Sequence, residues 1–163
     1  MSAKIKKRHR LKSKEINEII RTLKKKFSSD FFDNSSSVEI GDLEEYKVIL
    51  VDNEIDFIMY EENLVLTLRG LYKYKPKEYF VVVDMGAVGF VTKGADIMAP
   101  GIVDADERIL EHDYVWICDE THHKPLALGI ALMTGEDMKN KKDGKAIKNI
   151  HFVGDKLWNL SAI

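Results

Sequence analysis

A chain of 163 residues with 45% hydrophobic side chains and only three prolines is long enough to bury a core, as one domain or two small ones. Its one cysteine, Cys118, excludes an internal disulfide and fits a reducing compartment. Asp84 breaks the longest apolar run, so no membrane span is expected. No apolar segment follows the basic N-terminus, so a secretory signal is not expected either, and the cytoplasm is the default location.

The net charge of −2 conceals a split. Residues 1–26 carry eleven Lys or Arg against Glu15 and Glu18, a balance of +9, while the remainder carries fourteen bases and twenty-five acids, a balance of −11. A basic head on an acidic body is either an arm for nucleic acid or a solvated tail that pairs with its own body. After it, Ile16, Ile19, Ile20, Leu23 and Phe27 recur at helical spacing, with Ser13 as the expected N-cap and Lys24, Lys25 and Lys26 complementing the helix dipole in the last turn. Ser28 to Ser37 reads as a loop. Tyr46 to Val51 and Ile55 to Tyr60 read as a hairpin around Asp52-Asn53-Glu54, and Leu64 to Leu68 as a shorter strand. Arg69 to Pro76 then interleaves cations with tyrosines, a mixture that suits single-stranded RNA as well as half-buried packing.

Tyr79 to Val83 reads as a buried strand ending in a sharp turn at Asp84-Met85-Gly86, followed by a short apolar stretch, Ala87 to Val91. Gly94 and Pro100-Gly101 complete a segment of backbone that has to bend inside a packed domain. Amides left bare beside such glycines, with Lys93 adjacent, suit a phosphate or a sugar edge. Asp113 to Asp119, Leu126 to Met133, Ala146 to Val153 and Lys156 to Leu160 are the remaining expected strands, with one helical turn in Glu136 to Lys142. Gly129 marks close packing at a barrel-like bend. Short strands with frequent turns favour a small closed sheet.

Signatures of chemistry are sparse. Gly144-Lys145 is followed by Ala146 where a phosphate-binding loop needs Ser or Thr, and no strand–GxGxxG–helix unit is present. His112, Cys118, His122 and His123 lie close in sequence, but a strand separates the first two and adjacent turn histidines point apart, so no metal site is expected. Asp84 is expected to bond the amides of its turn, not to act as a base. No catalytic residue and no cofactor is expected.

Asp84, Gly86, Ala87, Gly94, Ala95, Met98, Pro100, Gly101 and Ile102 resemble the signature of the PUA domain, a small RNA-binding module, and Asp113-Tyr114-Val115-Trp116, Ala127 and Gly129 extend the likeness to about residue 160. Thr67-Leu68-Arg69, the segment Gly144 to His151, Asp155 and Leu157-Trp158 resemble one subgroup, the ribosome-associated PUA proteins related to the human malignant T-cell amplified sequence product. The resemblance implies an α+β chain: a small N-terminal α/β domain over residues 1–78, with its basic arm, and a C-terminal PUA pseudo-β-barrel over 79–163. It implies a non-catalytic translation factor that binds the 3′ end of a tRNA, or rRNA, and the small ribosomal subunit, in initiation, re-initiation or recycling, with a SUI1-domain protein as a partner. An RNA-docking accessory in tRNA or rRNA modification or ribosome biogenesis is the alternative. A protein-interaction module docking a basic ribosomal protein is the third. The expected RNA site is Lys93, Gly94 and Ala95 with an apolar wall of Met98 and Pro100, whose single role otherwise is core packing. Arg69, Lys73 and Lys75 extend it from the domain junction, and Lys145 and Lys148, which flank a strand, are further candidates.

Overall fold

The computed structural model describes residues 4–162; residues 1–3 of the expected arm, and residue 163, lie outside them. Two compact units divide the chain: one runs to Pro76 and takes in the chain from Asn159 on, and the other is Lys77–Trp158.

The first unit is a five-stranded antiparallel sheet in chain order, β1 (Lys6–Arg10), β2 (Val38–Leu43), β3 (Tyr46–Val51), β4 (Glu54–Tyr60) and β5 (Asn63–Leu66), with α1 (Ser13–Phe27) and α2 (Leu68–Tyr74). The β3–β4 hairpin turns on Asp52 and Asn53, both at positive φ (48° and 72°), the two-residue turn that matches strand twist. Helix α1 buries Ile16, Leu23 and Phe27, as its spacing requires. Its N-cap is Lys12, one residue before the expected Ser13, because the Glu15 carboxylate accepts the Lys12 amide at 3.0 Å. The basic head is not a free tail. Residues 6–10 form the edge strand of the sheet, and Arg8 reaches Glu39 through two hydrogen bonds of 3.1 and 2.8 Å. Strand β2 carries no alternation clear enough to be seen beforehand, and its pairing with β3 defines it.

The second unit is a curled six-stranded sheet, in the order β7 (Ile97–Met98), β11 (Lys145–Phe152), β10 (Pro125–Ala131), β9 (Tyr114–Asp119), β6 (Phe80–Val83), β8 (Ile102–Ala105). Only β6 and β9 run parallel. Its core joins Val81, Val83, Val115, Ile117, Ala127 and Ile147 from the central strands. Gly129 lets β10 and β11 approach closely, since a Cβ there lies 2.3 Å from the Ile147 side chain. Two segments that read as a turn and a strand, Met85–Val91 and Lys156–Leu160, are helices, and the expected helical turn at Glu136 to Lys142 forms as well. Asp84 caps α3 (Met85–Val91) by accepting the Ala87 amide at 2.9 Å, Thr134 caps α4 (Gly135–Asn140), and Asp155 accepts the Trp158 amide at 2.8 Å at the head of α5 (Lys156–Leu160). For α5 this overturns the expected final strand: the side chain of one aspartate supplies the local hydrogen bond that a strand would have sought from a neighbour.

Candidate nucleic-acid interface

Helix α3 turns Ala87, Val88 and Val91 inward and leaves Met85, Gly86, Gly89 and Phe90 on its open side. Phe90 is 69% exposed, a large apolar ring left in water. The chain leaves α3 through a tight turn in which Gly94, at φ +91°, is the left-handed residue. A Cβ at Gly94 lies 2.8 Å from the Phe152 ring, so that ring backs the turn from below. Asn149 fastens it from the side, its Nδ2 donating to the carbonyls of Val91 and Ala95, each at 3.1 Å. Asp96 accepts the Asn149 amide at 2.9 Å and pairs with Lys145 at 2.9 Å. The hydrogen bond from Lys145, with the amide of Asn149, holds the Asp96 carboxyl below its ordinary range.

This turn corrects the expected cradle of bare amides. The amides of Lys93 and Ala95 both donate to the Phe90 carbonyl, and that of Gly94 donates to the Val91 carbonyl, all at 3.1 Å. A turn this tight closes on itself and spends the donors a phosphate would need. What remains for a ligand is side chain: Lys93, exposed and outside any ion pair among the described residues, with Phe90, Met98 and Pro100. Met98 is 48% exposed and Pro100 is exposed, so core packing is not their role. Strand alternation gives the interior to Ile97 and Ala99 instead, each 2% exposed.

The other expected site residues are spread out. Lys148 is exposed near Asp96, and Lys145 is engaged by it. Arg69, Lys73 and Lys75 belong to the first unit, in and just after α2. The Lys73 ammonium is already committed, 2.9 Å from the buried Asp56 and 3.0 Å from Glu54. Tyr74 also donates to Asp56, and its ring stacks on Phe31 with centroids 4.7 Å apart. The run of cations and tyrosines is therefore largely internal wiring of α2 onto β4. Arg69 bonds Ser161, and Lys75 is exposed at the left-handed residue ending α2.

Sequence reasoning missed Phe90 and Asn149. Inside Val88-Gly89-Phe90-Val91 a phenylalanine reads as core, and only the helical phase of α3 shows that it faces out. Asn149 offers no local signal, because its partners lie more than fifty residues away in the chain.

The remaining candidate chemistry is structural. Asp119, buried at the end of β9, accepts the amides of Thr121, His122 and Lys124 and so shapes the turn that carries His122 and His123 in solvent. Burial pushes the Cys118 thiol up to about 12. Among the described residues no group of three His, Cys, Asp or Glu side chains converges as metal ligands would, and no helix is long and apolar enough to cross a membrane.

Comparison with known proteins matches the PUA domain over residues 79–153 and a domain of unknown function (DUF1947) over residues 7–74. An uncharacterized protein of Methanocaldococcus jannaschii is 45% identical, covering 95% of this chain and 97% of its own. Translation machinery-associated protein 20 of Saccharomyces cerevisiae is 30% identical over 92% of both chains. The crystal structure of a hypothetical protein from Pyrococcus horikoshii superposes with a TM-score of 0.86 at 38% identity, over 95% of this chain and 99% of that one. The chain belongs to the PUA-domain family that includes Translation machinery-associated protein 20 and the Malignant T-cell-amplified sequence 1 proteins.

Proposed function

We propose that this protein is a non-catalytic RNA-binding factor of the translation machinery whose second unit holds the unpaired 3′ end of an RNA, with the CCA end of tRNA as the first candidate. The observation that carries this reading is the exposure of Phe90 and Met98 beside Lys93 on a turn that Gly94, Phe152 and Asn149 hold rigid. A single-stranded end offers bare base faces and phosphates together; an exposed ring and thioether take the first, and an unpaired ammonium takes the second. The names of the relatives support the translational setting. In that setting the small ribosomal subunit is the larger partner, and a SUI1-domain protein is the protein partner to seek.

Binding of intact tRNA and of tRNA trimmed of its 3′ end, compared for the wild type, Phe90→Ala and Lys93→Glu, tests the site. Stacking of one base on an aromatic ring contributes about 1–3 kcal/mol, so Phe90→Ala is expected to weaken intact tRNA roughly 5- to 150-fold. Trimming is expected to weaken the wild type and leave the variants little changed. Equal affinity across the set overturns the assignment.

A further inference from the structure

We infer that the basic edge of the first unit is a second RNA surface, one that takes the sugar–phosphate backbone of a base-paired stem. Lys4, Lys6, Lys7, Arg10, Lys12 and Lys14 are all exposed, and none of them is in an ion pair among the described residues. The acids on adjoining segments are engaged elsewhere: Glu39 by Arg8, Asp42 by Lys47 at 3.5 Å, and Glu15 by the Lys12 amide. Six positive charges without an ion-pair partner thus stand within eleven residues of a chain whose remainder is acidic, with the Glu39 carboxylate near Arg10 and the amide-bonded Glu15 beside them. Such a concentration attracts phosphates and releases their counterions.

These charges are also held in place. Strand β1 is registered on β2, Lys6 opposite Asp42 and Arg10 opposite Glu39, and the Leu11 amide donates to the Val38 carbonyl at 2.9 Å. Ile5 sits over the backbone of Gly41, and Arg8 clamps Glu39. Folding has therefore already met much of the ordering cost that a loose basic tail incurs on binding.

The kind of partner follows from what this edge lacks. The large apolar side chains exposed among the described residues are Met85, Phe90, Met98, Val103 and Leu110, all in the second unit. The ridge on β1 offers four cations with one imidazole, His9, whose Nδ1 is tied to the Lys7 carbonyl, and no large apolar ring, which fits a duplex, whose bases are inside and whose phosphates are outside. An acidic peptide adding a strand to β1 fits less well. Lys7 has a φ of 56°, the register slips between Lys6 and His9, and a short bulged edge is a poor template for another strand.

The test titrates a blunt RNA hairpin with a stem of about 16 base pairs into the full chain across a range of salt. The wild type, Lys6→Ala/Lys7→Ala/Arg10→Ala and Phe90→Ala are compared. If four of the six bases meet phosphates, log K falls by roughly 3 to 4 per decade of salt, and each base removed lowers that slope by about 0.9. The triple variant is expected to lose at least tenfold in stem affinity while keeping its affinity for a single-stranded 3′-end oligonucleotide; Phe90→Ala is expected to do the reverse. Arg8 is left intact because it secures the strand, and Lys12→Ala/Lys14→Ala, outside β1, repeats the test should the triple variant unfold. Unchanged stem affinity in both variant sets overturns the inference, as does a stem affinity lost only with Phe90. Preferential binding of a polyglutamate peptide over the hairpin assigns the edge to an acidic protein and overturns it too. Failure of the 3′-end reading registers separately, in the response of the oligonucleotide to Phe90→Ala.

Discussion

Asp56 has 1% of its surface exposed, and it accepts hydrogen bonds from Lys73 and Tyr74. Burial drives its pKa up; the bonds from Tyr74 and Lys73 draw it back only in part, so it stays above the ordinary carboxylate value. The same burial, with the Asp56 carboxylate at hand, raises the Tyr74 hydroxyl. Asp56→Ala leaves the Tyr74 hydroxyl without its acceptor and is expected to cost about 1–3 kcal/mol, read as a lower urea midpoint and faster amide exchange in β4 and α2. Tyr74→Phe keeps the stack on Phe31 and is expected to cost about 1 kcal/mol. An unchanged midpoint for Asp56→Ala refutes the wiring described for α2. None of this was legible beforehand, because an aspartate in Ile55-Asp56-Phe57-Ile58 reads as the solvent side of a strand until α2 lands on it. Lys73 reads as an RNA contact for the same reason: Glu54 and Asp56, which engage it, lie on another element. Side chains whose partners are distant in sequence carry no local pattern, whereas Asp84 was read correctly because its partner is three residues away.

At the scale of elements, those with periodic burial were legible and those made by capping or by edge pairing were not. Helix α1 and the β3–β4 hairpin show their spacing and turn residues openly. Strand β1 is exposed at every position and has no apolar face, so only its backbone pairing makes it a strand. Helices α3 and α5 are short, and each is decided by one aspartate at its head. Gly94 marks the turn after α3 in the sequence, but composition does not show where its amides point. The turn makes its own prediction. Gly94→Ala adds a left-handed alanine and a Cβ 2.8 Å from Phe152, together costing about 1–3 kcal/mol. Combining it with Phe152→Ala removes the collision but not the backbone strain, so a double-mutant cycle is expected to show a favourable coupling smaller than the full penalty. Strict additivity in that cycle shows that the ring does not support the turn.

For the whole molecule, acid separates the two units. In the second, burial alone raises Asp119 and Asp155, but hydrogen bonds outweigh it: the amides of His122, Lys124 and Thr121 for Asp119, and His151 with the amides of Trp158 and Phe152 for Asp155. Both carboxyls, like Asp96, therefore sit below their unfolded values. A depressed carboxyl contributes stability that is present above its unfolded pKa and lost as pH falls through the folded one. The loss is expected to begin near the ordinary carboxylate value of about 3.9 and to continue below it. Asp56 in the first unit has the opposite sign: its contribution is complete below the unfolded pKa and disappears as pH rises through the folded one, which opposes the acid loss from the depressed Glu39 there. Both tryptophans of the chain, Trp116 and Trp158, lie in the second unit, so tryptophan fluorescence, excited selectively over tyrosine, reports that unit. Urea midpoints followed by fluorescence are expected to hold between neutrality and pH 5 and to drop steeply below 4. Asp155→Asn is expected to lower the midpoint at neutral pH and to flatten the acid decline, since its contribution is already gone. A variant that declines as steeply as the wild type removes Asp155 from the acid response and leaves Asp96 and Asp119 to account for it.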